Sequence, residues 1–160
     1  MSSISVSVLT RRSTLLLAAG AAVLAATGSR AAEEQIVTVH KDPNCGCCSG
    51  WVRHLQQAGF IVKTIETADL DSVKTRLGVP NDLAACHTAQ IGGYVIEGHV
   101  PAAALKRFLN DQPSAIGLAV PGMPVGSPGM EGGVAEPYDV VMFGPAGRGT
   151  YMRFVGDRAL

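Results

Sequence analysis

Three of the chain's four cysteines, Cys45, Cys47 and Cys48, fall within four consecutive positions of DPNCGCCSGW, and the fourth, Cys86, stands far along the chain in CHTAQ. Thiols this crowded can form crosslinks, a redox pair or a soft-metal site. Adjacent cysteines bridge poorly, because a disulfide wants Cα atoms roughly 4.4–6.8 Å apart with converging side chains. A Cys45–Cys47 or Cys45–Cys48 bond is feasible, with Cys86 free to pair with a third loop cysteine. A thiol–disulfide oxidoreductase would use Cys45-x-x-Cys48, with an extra thiol inside the motif. A metal site is the third reading. Zinc sites usually show two separated Cys/His pairs, whereas Cu(I) tolerates low coordination and lets thiolates bridge several ions. An iron–sulfur cluster would need export in the folded state.

The chemistry depends on what positions these sulfurs. IVTVH (36–40) alternates and is rich in β-branched residues, so it predicts a strand. SGWVRHLQQAG (49–59) predicts a helix with Trp51, Val52, Leu55 and Ala58 inward and Arg53, His54, Gln56 and Gln57 in water. FIVKTIE (60–66) is a second strand, and ADLDSVKTRLG (68–78) a second helix closed by Gly78. CHTAQIGGYVIEGHV (86–100) reads as a hairpin turning at Gly92-Gly93, and VPAAALKRFLND (100–111) as a third helix with Pro101 at its start. This order is that of a small α/β, thioredoxin-like domain. The three loop cysteines then sit at the N-terminus of the first helix, whose dipole and free N–H groups favour thiolates. The hairpin would carry Cys86 and His87 at one end, and Gly98-His99 at the other, back towards them.

GLAVPGMPVGSPGMEGG (117–133) is rich in Gly and Pro and reads as a loop. Its Met123 and Met130, in repeated Pro-Gly-Met units, are soft donors outside any apolar stripe. YDVVMFGP and GTYMRFVG (138–156) read as a closing hairpin.

The N-terminus has a basic start, an apolar run from Leu15 to Ala26 and small residues at Ser29 and Ala31. That is the layout of a secretory signal peptide, with an apolar run short of the roughly 20 residues a bilayer span needs. Residues 1–31 are therefore read as removed, and 32–160 as a single metal-binding domain with an extension from about 117. Arg11-Arg12 resembles a twin-arginine signal, but Thr14 stands where Phe or Leu is expected, and an ordinary Sec signal is an equal reading. Export to the periplasm makes disulfides the default for the cysteines. The remaining charge is slightly negative, leaving no basic stripe for nucleic acid and no membrane span. GxSxG, HExxH and phosphate-binding glycine motifs are absent from the sequence, so hydrolase and nucleotide chemistry have no support.

Other residues are expected to serve structure. His87, next to Cys86 on a strand, should point to the opposite face and pack. His54 should be solvated, and Trp51 should pack beside the motif. His40 ends a strand where it could support the ligands. Asp42-Pro43 should make a turn, with Lys41 tuning the loop's electrostatics.

HKDPNCGCCSGWVRHLQQAGF, ACHTAQIGGYVIEGHVPAAALKRFL and GLAVPGMPVGSPGMEG together resemble the exported CopG-type copper-resistance family, long known as a domain of unknown function. The resemblance covers about residues 36–133. It implies a thioredoxin-like periplasmic protein with a cysteine-bridged cluster of several copper ions, and with other periplasmic copper-handling proteins as partners. By position, Cys45, Cys47, Cys48 and Cys86 would be the thiolate ligands, and the matching motifs extend to His99 and Met123.

Overall fold

The computed structural model describes residues 36–160; the segment read as a signal peptide lies outside the described residues. Twelve elements follow in order: β1 (Ile36–Lys41), α1 (Gly46–Gln57), β2 (Ile61–Glu66), α2 (Leu70–Leu77), a 3-10 turn (Asn81–Leu83), β3 (His87–Ile91), β4 (Tyr94–Gly98), α3 (Ala102–Asp111), β5 (Gly117–Val120), β6 (Pro137–Gly144), β7 (Gly147–Val155) and β8 (Arg158–Ala159). They build one mixed sheet in the order β2-β1-β3-β4-β5-β6-β7-β8, the α/β class expected. Among the described residues no helix is long and apolar enough to cross a membrane.

Alternation in β1 buries Val37 and Val39 completely. The β1–α1–β2 crossover pairs β2 parallel to β1, and β3 runs antiparallel along the other side of β1. Gly92 and Gly93 make the β3–β4 turn with φ of 57° and 82°, the left-handed pair that a two-residue hairpin loop needs. α1 and α3 cover one face: Trp51 and Leu55 from α1, and Ala104, Leu105 and Phe108 from α3, join Val37, Val39, Ala89, Ile96, Leu118, Val140 and Phe154 in the main core. On the other face Val79 and Leu83, which follow α2, pack on Val95, Ala119 and Phe143.

Two expectations are corrected. α1 begins at Gly46 rather than Ser49, because Cys45 itself caps it: the Cys48 N–H donates to Cys45 Sγ at 3.3 Å, and the Ser49 N–H to the Cys45 carbonyl at 3.4 Å. Cys47 and Cys48 therefore lie inside the first turn. The segment 117–133 is not all loop either, since its first four residues are β5, parallel to β4 and antiparallel to β6. Buried alternately on both faces, Leu118, Ala119 and Val120 make β5 the seam joining the hairpin region to the C-terminal strands. A Cβ on Gly117 would run into the Val95 carbonyl, so only glycine fits this close parallel start. The β6–β7 hairpin lies where it was expected.

Candidate metal centre

The loop between β1 and α1 is set by Asp42. Its Oδ1 accepts the Asn44 N–H at 2.7 Å and its carbonyl accepts the Cys45 N–H at 3.1 Å, the Asx turn expected there. Lys41 Nζ, almost buried, bonds the Asp42 carbonyl at 2.9 Å and pairs with Glu66 at 3.6 Å. This turn presents the three cysteines on the first turn of α1.

The sulfur geometry brings the distant cysteine home. Cys45 and Cys48 form a disulfide, with Cα atoms 5.4 Å apart. Cys47 and Cys86 are free thiols. Cys47 Sγ lies 3.5 Å from Cys45 Sγ and 3.9 Å from Cys86 Sγ, and Cys48 Sγ lies 3.5 Å from the Cys86 carbonyl. All four sulfurs sit within 4.8 Å of one another. Metal–thiolate bonds of about 2.3 Å let one ion join sulfurs up to about 4.6 Å apart, so the set fits bridging thiolates once the disulfide is reduced. Burial first, then the neighbouring Cys47, push the Cys86 thiol up to about 12. Both causes favour the protonated thiol at Cys86.

Two histidines extend the cluster. His99, fully buried, puts Nε2 3.0 Å from Cys86 Sγ, while its Nδ1 donates to the Pro128 carbonyl at 2.7 Å. A backbone carbonyl on Nδ1 leaves the Nε2 lone pair facing the sulfur, the arrangement of metal-ligating histidines. Burial holds His99 below the ordinary imidazole value, and His87 well below it. His87 does pack, 4.4 Å from the Trp51 ring and fully buried, but it does not turn away from Cys86. Its Nδ1 is 3.4 Å from Cys86 Sγ. The alternation expected of a strand fails because β3 starts at His87, leaving Cys86 outside it. Cys86, His87 and His99 form a second convergent donor set.

The surrounding frame is polar and specific. Across the sheet, Glu97 is fully buried: its Oε1 accepts the Ala85 N–H at 2.6 Å and Lys74 Nζ at 2.6 Å, and its Oε2 accepts Thr88 Oγ1 at 2.7 Å. This bond on Ala85 fixes the chain entering Cys86. Burial raises the Glu97 carboxyl, opposed by the Lys74 ammonium. On the other side the second Pro-Gly-Met unit reaches the cysteine helix. A Cβ on Gly129 would come within 2.5 Å of the Cys47 carbonyl and 2.7 Å of the Trp51 nitrogen, and Gly129 has φ of 90°. Glu131 Oε1 accepts the Gly129 N–H at 2.8 Å, and this bond lowers its carboxyl.

Of the residues picked from the sequence, Cys45, Cys47, Cys48, Cys86 and His99 come together. Met123 lies on the turn after β5, 39% exposed with φ of 47°; it is the later unit, at Pro128-Gly129-Met130, whose backbone touches α1. His40 stays in β1, half-buried. His54 is not simply solvated: its Nε2 accepts the Ala102 N–H at 3.0 Å, satisfying the start of α3 where Pro101 offers no side-chain cap. The Pro128 carbonyl and Glu97 carry no signal in the sequence, and His87 is expected near the cysteines but packed away from Cys86.

A family model described as "Protein of unknown function, DUF411" matches residues 83–130. No curated protein matches. Two solved structures do, "Copper resistance protein copG- Form 1" and "Copper resistance protein copG- Form 2". Each is 45% identical to this chain, with TM-scores of 0.71 and 0.70; they cover 78% and 74% of it, and 100% and 97% of their own chains are matched. With that identity over the whole of a solved relative, and the crowded sulfurs folded onto Cys86, the chain belongs to the copper resistance protein CopG family.

Proposed function

We propose that the chain is an exported, periplasmic copper-binding protein with a thioredoxin-like core. It holds Cu(I) between the thiolates of Cys45, Cys47, Cys48 and Cys86 as a cysteine-bridged cluster of several ions, and serves copper resistance or the handling of copper's redox state. The observation that carries this reading is the convergence of four sulfurs within 4.8 Å, three of them on one helical turn and one from 38 residues further on. Soft thiolates select Cu(I), and the α1 N-terminus stabilises their charge. His99 completes the set with a lone pair fixed by the Pro128 carbonyl. Met123, on an exposed turn, offers an arriving ion a thioether before it meets the thiolates. Other periplasmic copper-handling proteins are the natural source or destination of the ions.

The test is an anaerobic Cu(I) titration of fully reduced protein against a chromophoric chelator, with metal analysis. More than one Cu(I) per chain is expected, and Cys86→Ser should abolish the multi-ion uptake. Negligible uptake by the reduced protein overturns the reading.

The Cys45–Cys48 bond at a helix N-terminus favours a second reading, a thiol–disulfide oxidoreductase acting on protein thiols. Insulin reduction that needs Cys45 and Cys48, in a protein with negligible copper uptake, would select it.

A further inference from the structure

We infer that the disulfide-closed protein carries its own single-ion site, made by Cys86, His87 and His99, for a divalent ion of borderline softness such as Zn(II). This site shares Cys86 and His99 with the proposed cluster but outlasts closure of the disulfide, because the Cys45–Cys48 bond removes two of the cluster's sulfurs and leaves all three of its own donors unbonded.

The donor distances fit one ion. Bonds of about 2.3 Å to sulfur and 2.0–2.1 Å to nitrogen place tetrahedral donors about 3.6 Å apart for sulfur and nitrogen, and about 3.8 Å for two sulfurs. Cys86 Sγ is 3.4 Å from His87 Nδ1 and 3.0 Å from His99 Nε2, so a slight opening of the set admits the ion. Cys47 Sγ, 3.9 Å from Cys86 Sγ, stands at the distance of a fourth ligand. One thiolate with two imidazoles is a borderline donor set, suited to zinc rather than to Cu(I) held by sulfur alone.

Two further observations point to a ligand. His99 has its far nitrogen tied to the Pro128 carbonyl, which fixes the tautomer and aims the free lone pair at Cys86. His87 is fully buried, and its Nδ1, the donor atom of the proposed site, faces the Cys86 thiol, a weak partner for a buried imidazole nitrogen.

The test uses the full protein, kept anaerobic and unreduced, with the Cys45–Cys48 bond verified by mass spectrometry. Co(II) is added as the spectroscopic probe. Saturation at one equivalent is expected, with a near-ultraviolet thiolate-to-cobalt band, visible bands of tetrahedral intensity, and displacement by Zn(II). His87→Gln and His99→Gln should each weaken binding by about 100-fold or more, beyond what loss of a mere supporting contact gives, with unchanged circular dichroism. Absence of stoichiometric Co(II) and Zn(II) binding by the wild-type protein, or a complex without the thiolate band, overturns the inference. So does binding unchanged in both folded variants. Multi-ion Cu(I) uptake by the reduced protein without single-ion binding by the disulfide form would sink this site alone. The reverse result would sink the four-thiolate cluster alone.

Discussion

Buried histidines decide how the fold responds to acid. His54 must be neutral to accept the Ala102 N–H, and burial lowers its pKa below 6.5; His87 and His99 shift the same way. The folded state resists protons that the unfolded chain takes up, so stability is whole above pH 6.5 and falls as pH drops from there towards the folded values. Urea midpoints should be lower at pH 5 than at pH 7.5, and His54→Gln should flatten part of that slope. Glu97 gives a second prediction. Glu97→Gln keeps an acceptor for the Ala85 N–H but leaves the Lys74 ammonium buried without a counter-charge, a loss of about 3–5 kcal/mol. Adding Lys74→Met should recover most of it in urea unfolding. Neither residue stood out in the sequence. A helical histidine beside Arg53 and Gln56 looks solvated until α3 is laid against it, and a Glu in an otherwise apolar strand shows its role only when the facing helix supplies the cation. The cysteines and His99 were legible because softness and spacing are properties of the residues themselves.

At the scale of elements, regular pieces with strong periodicity were readable and the irregular joins were not. The β1–α1–β2 unit, the Gly92-Gly93 hairpin and the β6–β7 hairpin follow from alternation, helical spacing and turn residues. The start of α1 was misplaced because a cysteine is an unfamiliar cap, and its sulfur replaces the usual Ser or Asp oxygen. β5 was missed because four residues between glycines and prolines carry too little pattern, and because its strand character comes from the two neighbours it joins. The segment after β5 meets α1 backbone to backbone, at Gly129 and Gly50. Gly129→Ala would put a Cβ against the Cys47 carbonyl at a φ of 90°. It should cost about 1–3 kcal/mol in thermal unfolding, with Gly50→Ala, whose Cβ would come within 2.8 Å of the Gly129 Cα, following the same direction.

For the molecule as a whole, the C-terminal strands are part of the core and not an appendage. Val140 and Phe154 are fully buried in the main cluster with Trp51 and Leu55. A chain ending after Gly133 should lose that packing, expose the flank of β5 and fail to give a cooperative unfolding transition by circular dichroism. The candidate metal centre likewise draws on distant parts of the chain, from Cys45 to Pro128. Cys86 stands 39 positions from Cys47, whereas Cys45 and Cys48 are 3 apart. Short loops close sooner than long ones, so in an oxidising compartment the Cys45–Cys48 bond has first claim on the reduced chain. Spacing then does the work of a protecting group: it caps two sulfurs early and leaves the third for a partner that only the finished fold brings.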